Sequence, residues 1–366
     1  MRTLLVANLT LYCHMGAFFS QALQDLGQPH VALDVTHYGQ LPGPPILRRV
    51  GTRLLGRRLL TYWRYNRDIL AAAREFNPEV VLITGGAPVT RSTLRELKAR
   101  TGAVLVNYAT DDPFNPVACA PWVAKNIPLY DLYASTKRDI MDDLRAAGCA
   151  RVAYVPFAYD PSVHFPHCFE SAQESERSSC DVVFIGCADR SYSALFETLL
   201  HGIPDLRLNL YGTYWERNPV LARYGRGLAL GRDYRVALAG AKIAPCPVRR
   251  ANRDGLAMRT FESAACGTFV LAERTAEHQE FFREGEEVGY FDSPGELIEK
   301  VRYYLAHDDE RRRMAEAVHR KVIRGNHTYA DRVKQILELA GELISERGRA
   351  VHLEPPSEMA VSAPGE

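Results

Sequence analysis

Residues 252–268 read Asn-Arg-Asp-Gly-Leu-Ala-Met-Arg-Thr-Phe-Glu-Ser-Ala-Ala-Cys-Gly-Thr. This stretch predicts a glycine-bearing loop, a helix at Met258–Cys266 and, after a further glycine, a strand at Phe269–Leu271. A helix N-terminus presents free amide groups and a partial positive charge, which suit a phosphate. Arg259 would add a fixed cation there, and Glu262, three residues later on the same helical face, could accept hydrogen bonds from ribose hydroxyls. The alternative is an ordinary surface ion pair between these two side chains.

Strand and helix patterns alternate on both sides of this stretch, which is typical of parallel sheets covered by helices. In the second half the predicted strands are Asp181–Ile185, Arg207–Tyr211 and Ala241–Ala244, and the predicted helices are Tyr192–His201 and Glu296–Leu305. In the first half the predicted strands are Leu4–Ala7, Val31–Val35, Val80–Thr84, Val104–Asn107, Leu132–Ser135 and Val152–Val155, and the predicted helices are Gly16–Leu26, Tyr62–Phe76, Thr93–Arg100 and Lys137–Ala147. We therefore predict an α/β protein with two Rossmann-like, doubly wound lobes and a ligand-binding cleft between them.

Composition sets the boundaries of these lobes. Residues 170–179 are polar and low in complexity, so we predict a flexible linker at 169–180 between an N-terminal lobe at 1–168 and a second lobe at 181–326. An apolar helical face from Tyr329 to Ile344 predicts a C-terminal helix at 327–346 that packs across the lobes. The polar, proline-bearing residues 347–366 are expected to be disordered.

The overall charge excludes several classes of protein. Lys plus Arg number 45 and Asp plus Glu number 44, which argues against a dedicated nucleic-acid binder. No apolar run in the sequence is long enough for a transmembrane helix, and we expect the opening residues 1–8 to form a core strand rather than a signal peptide. Eight cysteines without a Cys-x-x-Cys pair indicate reduced thiols and a cytoplasmic protein.

The basic segment Arg48–Arg58 has two interpretations. It is either a solvated surface or a contact for an anionic acceptor or a membrane, and the second interpretation would allow peripheral membrane association.

The N-terminal lobe offers a second set of candidate residues at strand ends. Asp111 and Asp112 follow a buried strand, where a carboxylate could act as general base or simply cap the turn before a proline. His14 lies at the first strand-to-helix turn and could be a base, an acceptor contact or a packing residue. Gly85 and Gly86 permit either close approach of a ligand or a tight turn.

The segment Asp254-x7-Glu262, followed by Ala-Ala-Cys-Gly-Thr-Phe-Val-Leu, resembles the donor site of GT-B fold glycosyltransferases. More narrowly it resembles the CgeB-like group, which is related to spore-maturation proteins. Further matching segments are Val183–Gly186, Tyr211-Gly212 and, most distinctively, Asn326–Arg332. The resemblance is strong over residues 181–340 and weaker in the N-terminal lobe.

This resemblance implies a nucleotide-sugar bound in the second lobe. Arg259 and Arg190 would face its diphosphate, Glu262 would hold the ribose, and Asp254 with the Gly255 backbone would touch the transferred sugar. Gly186, Tyr211 and Gly212 would line the same donor site. Many relatives carry Glu where this chain has Asp254, and many carry a lysine beside the arginine at the position of Arg190.

The function implied is that of a hexosyltransferase-type glycosyltransferase acting on a nucleoside-diphosphate sugar and an unknown acceptor, which could be a glycan, a lipid, a protein or a small molecule. We expect no cofactor and no metal, because the chain lacks the spaced Asp-x-Asp pair of metal-dependent enzymes and a clustered zinc site. Retention of the anomeric configuration is a further expectation. The alternatives are a nucleotide-sugar epimerase on the same fold and a non-catalytic nucleotide-sugar-binding protein of the cell envelope or spore.

His327 and the segment Asp309–Arg324 are expected to have structural roles rather than roles in binding or catalysis. His327 is expected to begin the C-terminal helix and to pack across the lobes. The segment Asp309–Arg324 begins acidic and ends basic, as suits a helix dipole, and is assigned no function.

Overall fold

A computed structural model describes residues 1–9, 15–38 and 62–353 of the chain. His14 and the basic segment Arg48–Arg58 lie outside the described residues, as do residues 354–366 of the predicted tail.

The first lobe is a six-stranded parallel sheet in the order β2-β1-β3-β4-β5-β6. Its central strands are buried along their whole length, because helices cover both faces of the sheet. The strands are β1 Thr3–Ala7, β2 His30–Asp34, β3 Val80–Thr84, β4 Val104–Ala109, β5 Leu132–Ser135 and β6 Arg151–Tyr154. The helices are α1 Met15–Asp25, α2 Trp63–Phe76, α3 Arg91–Thr101, α4 Pro121–Asn126 and α5 Met141–Ala146.

The second lobe is a five-stranded parallel sheet in the order β11-β10-β9-β7-β8. Its strands are β7 Cys180–Ile185, β8 Leu208–Tyr211, β9 Ala241–Cys246, β10 Phe269–Glu273 and β11 Gly289–Phe291. The helices from the linker onward are α6 Ala172–Ser178, α7 Arg190–Gly202, α8 Arg232–Ala239, α9 Met258–Ala265, α10 Ala276–Phe281, α11 Pro294–Ala306, α12 Asp308–Arg324 and α13 Tyr329–Leu353. These two parallel sheets confirm the predicted fold class.

The chain crosses between the lobes twice, and the two crossings lie side by side. The amide of Tyr159 donates to the carbonyl of His327 at 3.0 Å, and the amide of Tyr329 donates back to the Tyr159 carbonyl at 3.0 Å. The Arg332 side chain then donates to the Pro156 carbonyl at 3.0 Å. One apolar core cluster runs through this junction and includes side chains from both sheets. The second crossing therefore returns the chain to the first lobe, where α13 packs on α1, β4 and β5.

The segment Asn326–Arg332 has a local explanation in this junction. Asp331 accepts hydrogen bonds from the Thr328 amide at 2.9 Å and from its hydroxyl at 2.6 Å, and the Asp331 amide donates to the Thr328 hydroxyl at 3.2 Å. This reciprocal pairing caps the first turn of α13. The His327 ring packs against Phe261 and Phe281 of the second lobe, with ring centroids 5.1 and 5.9 Å away. His327 thus occupies the packing position that we predicted from the sequence.

Three predicted segments differ in the structure. The predicted linker 169–180 contains the helix α6, because the Ser171 side chain caps it and Arg232 of α8 pairs with Glu170 and Glu174 at 2.8 and 2.7 Å. The predicted helix Lys137–Ala147 begins only at Met141. The C-terminal helix continues to Leu353, seven residues beyond its predicted end.

Candidate functional site

The loop between β9 and α9 lies against the carboxyl ends of β4 and β5 in the other lobe. It contains a short 3-10 turn at Arg250–Asn252, and Arg253 follows in the left-handed region at φ 49°. The Asp112 amide donates to Asn252 Oδ1 at 3.0 Å, and Asn115 Nδ2 donates to the Ala251 carbonyl at 2.7 Å. Through Asn252, these contacts bring Asp111 and Asp112 of the first lobe beside Asp254 of the second.

Asp254 is buried in this interface between two cations. Its Oδ1 pairs with Nζ of Lys137, and the two side chains are only 7% and 1% exposed. Its Oδ2 accepts from Arg249 Nε at 3.1 Å, and Asn252 Nδ2 donates to Oδ1 at 2.9 Å. Sequence reasoning missed Lys137 and Arg249, although both closely follow buried strands. The rule that placed Asp111 at a sheet edge could have found them too.

The two carboxylates proposed for the acceptor side have different surroundings. Asp112 accepts a bidentate pair of hydrogen bonds from Arg253, at 2.8 and 3.1 Å, and another from the Phe114 amide at 2.9 Å. It therefore caps the turn before Pro113, which was one of its two predicted roles. Asp111 accepts from Arg249 Nη2 and from an amide nitrogen of Asn252, each at 3.1 Å, and its side chain remains 36% exposed. Of this pair, Asp111 is the carboxylate that a solvent-borne acceptor can reach.

Arg259 lies at the end of β7, in the second lobe. Its Nη2 donates to the Tyr192 hydroxyl at 3.0 Å, and its guanidinium sits over the Phe184 ring, 4.4 Å from the centroid. Its Nε is buried without a hydrogen-bond partner. No carboxylate of the described residues lies within ion-pair distance of Arg259, so this half-buried cation lacks a counter-ion.

Three predicted donor-site residues form the surface beside Arg259. The Gly186 amide donates to the Tyr211 carbonyl at 2.8 Å, and the Gly186 carbonyl accepts from the Trp215 indole at 2.9 Å. A methyl group on Gly212, at φ 128°, would come 2.2 Å from the Gly186 carbonyl oxygen. A methyl group on Gly186 would lie 3.0 Å from Arg259 Nη1. Small residues are thus needed here to seat two chain segments and the guanidinium together.

Glu262 makes no ion pair with Arg259 and lies in a buried cluster of other side chains. Its Oε2 accepts from the Tyr234 hydroxyl at 2.7 Å, and its Oε1 lies 3.5 Å from Nε2 of His164. The His164 Nδ1 accepts from the Asp160 amide at 3.1 Å, which leaves the proton on the nitrogen that faces Glu262. The alternative interpretation, a surface ion pair between Arg259 and Glu262, is therefore excluded, because Glu262 is only 3% exposed and is hydrogen-bonded to Tyr234.

The remaining predicted residues are spread around the interface. Gly255 packs against Glu277, since a methyl group there would come 2.3 Å from Glu277 Oε1. Gly85 has φ 59°, and its amide donates to the Tyr108 carbonyl at 2.8 Å. A methyl group on Gly86 would meet nothing within 4 Å, so the space above this residue is open. Arg190 is exposed at the first position of α7.

His278 forms hydrogen bonds with residues at the start of α9 and stabilises that end of the helix. It is fully buried, its Nδ1 donates to the Glu273 carbonyl at 2.7 Å, and its Nε2 faces the Ala257 amide at 3.3 Å and the Thr260 hydroxyl at 3.0 Å. The ring is therefore neutral, with Nε2 as acceptor. Burial lowers the pKa of His278 to about 4.

We expect acid to destabilise the protein through this histidine. Its pKa is lower in the folded state than in the unfolded state, so stability is complete above about pH 6.5 and is lost as the pH falls toward 4. At pH 5 the loss from this group is about 2 kcal/mol. Urea unfolding at pH 7 and pH 5 measures it. In His278→Gln the difference between the two pH values should shrink by that amount, and an unchanged difference would contradict the assignment.

The described residues contain no group of three His, Cys, Asp or Glu side chains placed to hold a metal ion. No helix among them is both long and apolar enough to span a bilayer.

Comparisons with known proteins agree with this architecture. Residues 190–338 match a family model described as glycosyl transferase-like. Sucrose-phosphate synthase from Thermosynechococcus elongatus superimposes with a TM-score of 0.71 at 12% identity, covering 94% of this chain and 99% of that one. The chain has the GT-B fold. No curated protein gives a significant sequence match.

Two other solved structures share the GT-B architecture of this chain. HepE from Anabaena, in complex with UDP-glucose, has a TM-score of 0.61 and 11% identity, and the match covers 93% of this chain and 100% of HepE. AviGT4, a glycosyltransferase involved in avilamycin A biosynthesis, has a TM-score of 0.59 and 18% identity, covering 94% of this chain and 98% of that one. At such low identities the likeness establishes the GT-B fold and no more.

Proposed function

We propose that this protein is a glycosyltransferase that moves a sugar from a nucleoside-diphosphate donor to an acceptor. The observation that carries the proposal is Arg259, a half-buried guanidinium with a buried, unpartnered Nε and no counter-ion among the described residues. A charge held partly out of water without a counter-ion is costly, which favours an anionic ligand here. The likeness to GT-B structures, one of them holding UDP-glucose, supports a nucleotide diphosphate as that ligand.

A second arginine stands near the same hydroxyl as Arg259. Burial raises the pKa of Tyr192, while the positive charges of Arg259 and Arg249 oppose that rise. Both positive charges therefore act on the Tyr192 hydroxyl, to which Arg259 also donates a hydrogen bond at 3.0 Å. In the proposed complex, Arg259 and Arg249 hold the diphosphate. Arg249 would take the position of the lysine that the sequence lacks beside Arg190.

The chemistry of sugar transfer fits this arrangement. The bond to the leaving diphosphate breaks through an oxocarbenium-like transition state, and negative charge develops on the diphosphate. Fixed arginines aimed at that charge stabilise the transition state without needing a metal ion. Asp254 and the Gly255 backbone would contact the transferred sugar, and Asp111, the exposed carboxylate, would orient the acceptor hydroxyl. Glu262 would accept hydrogen bonds from the ribose hydroxyls in exchange for one of its present partners, the Tyr234 hydroxyl at 2.7 Å or His164 Nε2 at 3.5 Å.

The finer parts of the proposal are membership of the CgeB-like group, a hexose as the transferred sugar, independence of metal and retention of configuration. Retention is preferred because Asp111, Asp112 and Asp254 are all engaged by cations, so none of the three stands as a free base. The seven cysteines among the described residues are all unpaired, which supports a reducing, cytoplasmic setting.

A thermal-shift screen against UDP-, GDP-, TDP- and CMP-sugars tests the proposed donor class. Ligand at about one hundred times its Kd adds about 2.7 kcal/mol to stability, so the correct nucleotide should raise the Tm clearly above the others. Product formation from that donor with candidate acceptors, unchanged by EDTA, is the expected activity. If no nucleotide-sugar shifts the Tm and none is consumed, the proposal fails.

The second candidate is a non-catalytic nucleotide-sugar-binding protein. One observation favours it, namely that the interface carboxylates are all neutralised by arginine or lysine. Saturable donor binding with no turnover on any acceptor would support this candidate. Conversion of the donor sugar without an acceptor would instead indicate an epimerase.

A further inference from the structure

A groove of about 770 Å³ lies between α12 and the loop that joins α10 to β11. None of its lining residues belongs to the interface described above. The groove is wide open to solvent rather than enclosed. It is lined by Arg283, Gly285, Glu286, Glu287, Arg313, Ala317, Arg320, Lys321, Arg324 and Gly325.

The groove is strongly basic, although the whole chain is nearly neutral at a formal net charge of +1. Five of its lining side chains are cationic and two are anionic. The two carboxylates, Glu286 and Glu287, belong to the loop, and each is already paired with a cation. The buried Glu287 pairs with Lys321 Nζ at 2.6 Å and accepts from the Arg283 amide at 2.8 Å, and Glu286 pairs with Arg283 at 3.1 Å. The surplus charge therefore lies on the helix side, at Arg313, Arg320 and Arg324.

These three arginines form a row along one face of α12. Their spacing of seven and four residues returns to the same side of a helix, and Arg313 and Arg324 are separated by about 16 Å along its axis. Arg320 has a loose partner, Glu316 at 3.5 Å, whereas Arg313 and Arg324 have no carboxylate within ion-pair distance in the described ranges. Three guanidinium forks in a row suit an extended anion better than a single phosphate.

We propose that this groove binds an anion carrying two or more phosphate groups. Neighbouring arginines of the row offer planar forks to separate phosphates of one anion, and the neutralised loop forms the opposite wall. The segment Asp308–Arg324 thus has a binding role in addition to the ordinary charge pattern of a helix. Free oligophosphates and clustered phospholipid headgroups share this chemistry.

Isothermal titration calorimetry with inorganic tripolyphosphate tests the proposal, and a flotation assay with vesicles containing an anionic phospholipid distinguishes the two sources. The test variant is Arg313→Gln/Arg324→Gln. Arg312→Gln is the matched control, since Arg312 is an exposed arginine on the same helix outside the groove. Binding should weaken by about tenfold or more in the double variant and remain unchanged in the control.

The assays are repeated with Arg259→Ala, which removes the cation of the proposed donor site. Tripolyphosphate or vesicle binding that survives in Arg259→Ala and is lost in the double variant supports the groove. Binding that is equal in the wild type and the double variant overturns the proposal. The proposal also fails if neither tripolyphosphate nor the vesicles bind saturably to the wild type. Because the groove and the donor site have no residue in common, either proposal can fail without the other.

Discussion

Replacement of Arg259 by alanine should weaken binding of the preferred nucleoside diphosphate by about a hundredfold or more. The guanidinium is half-buried and held by the Phe184 ring and the Tyr192 hydroxyl, so it meets a diphosphate with little further loss of side-chain freedom. Hydrogen bonds to charged groups are worth about 1.5–3 kcal/mol each, and a bidentate contact provides two. Calorimetric titration of the variant with the nucleotide found by the thermal-shift screen gives the affinity directly.

Two variants make this result specific. Arg259→Lys keeps the positive charge but loses the planar fork, so it should fall between the wild type and the alanine variant. Arg190→Ala tests the other arginine assigned to the diphosphate, and its exposed position at the start of α7 predicts a much smaller effect. An alanine variant at position 259 that remains folded and binds with wild-type affinity would remove the basis of the proposed function.

Sequence patterns were sufficient to predict the architecture, because both lobes are built from the same alternation of strands and helices, which can be recognised locally. Buried apolar strands such as Val80–Thr84 alternate with amphipathic helices, and each strand can be read from about five residues. The prediction of a flexible linker at 169–180 was wrong for a physical reason. Its low-complexity composition predicts flexibility, but a serine cap and two ion pairs with Arg232 stabilise a helix there. The partner that decides this is distant in the sequence.

The candidate site was predicted only in part, and the errors share a cause. The stretch 252–268 indicates a ligand-facing loop, which the structure places at the interface. Helical spacing put Arg259 and Glu262 on one face, yet their tertiary partners differ, since Tyr192 engages one and Tyr234 the other. Lys137 was assigned to a helix by local periodicity. Its true surroundings depend on a carboxylate 117 residues away, which no local pattern contains.

Replacement of Lys137 by methionine should destabilise the protein by about 3 kcal/mol. The side chain is 1% exposed and its partner Asp254 is 7% exposed, so the variant leaves a carboxylate in a site from which water is nearly excluded. Arg249 and Asn252 still contact Asp254, which places the loss at the lower end of the range for a broken buried pair. Urea unfolding followed by circular dichroism measures the change in the free energy of unfolding.

The matched control is Lys98→Met, which breaks a lysine–aspartate pair within the first lobe. Lys98 is 45% exposed, and its partner Asp131, although only 8% exposed, keeps an ion pair with Arg347 at 2.5 Å and a hydrogen bond from the Leu105 amide at 2.9 Å, so the loss should be less than about 1 kcal/mol. The double variant Lys137→Met/Asp254→Asn removes both buried charges and should recover most of the lost stability, because the penalty comes from the uncompensated carboxylate. If Asp254 also contacts the transferred sugar, this stable double variant should still bind the nucleoside diphosphate but lose transfer. Recovery of both stability and transfer would instead limit Asp254 to holding the two lobes together.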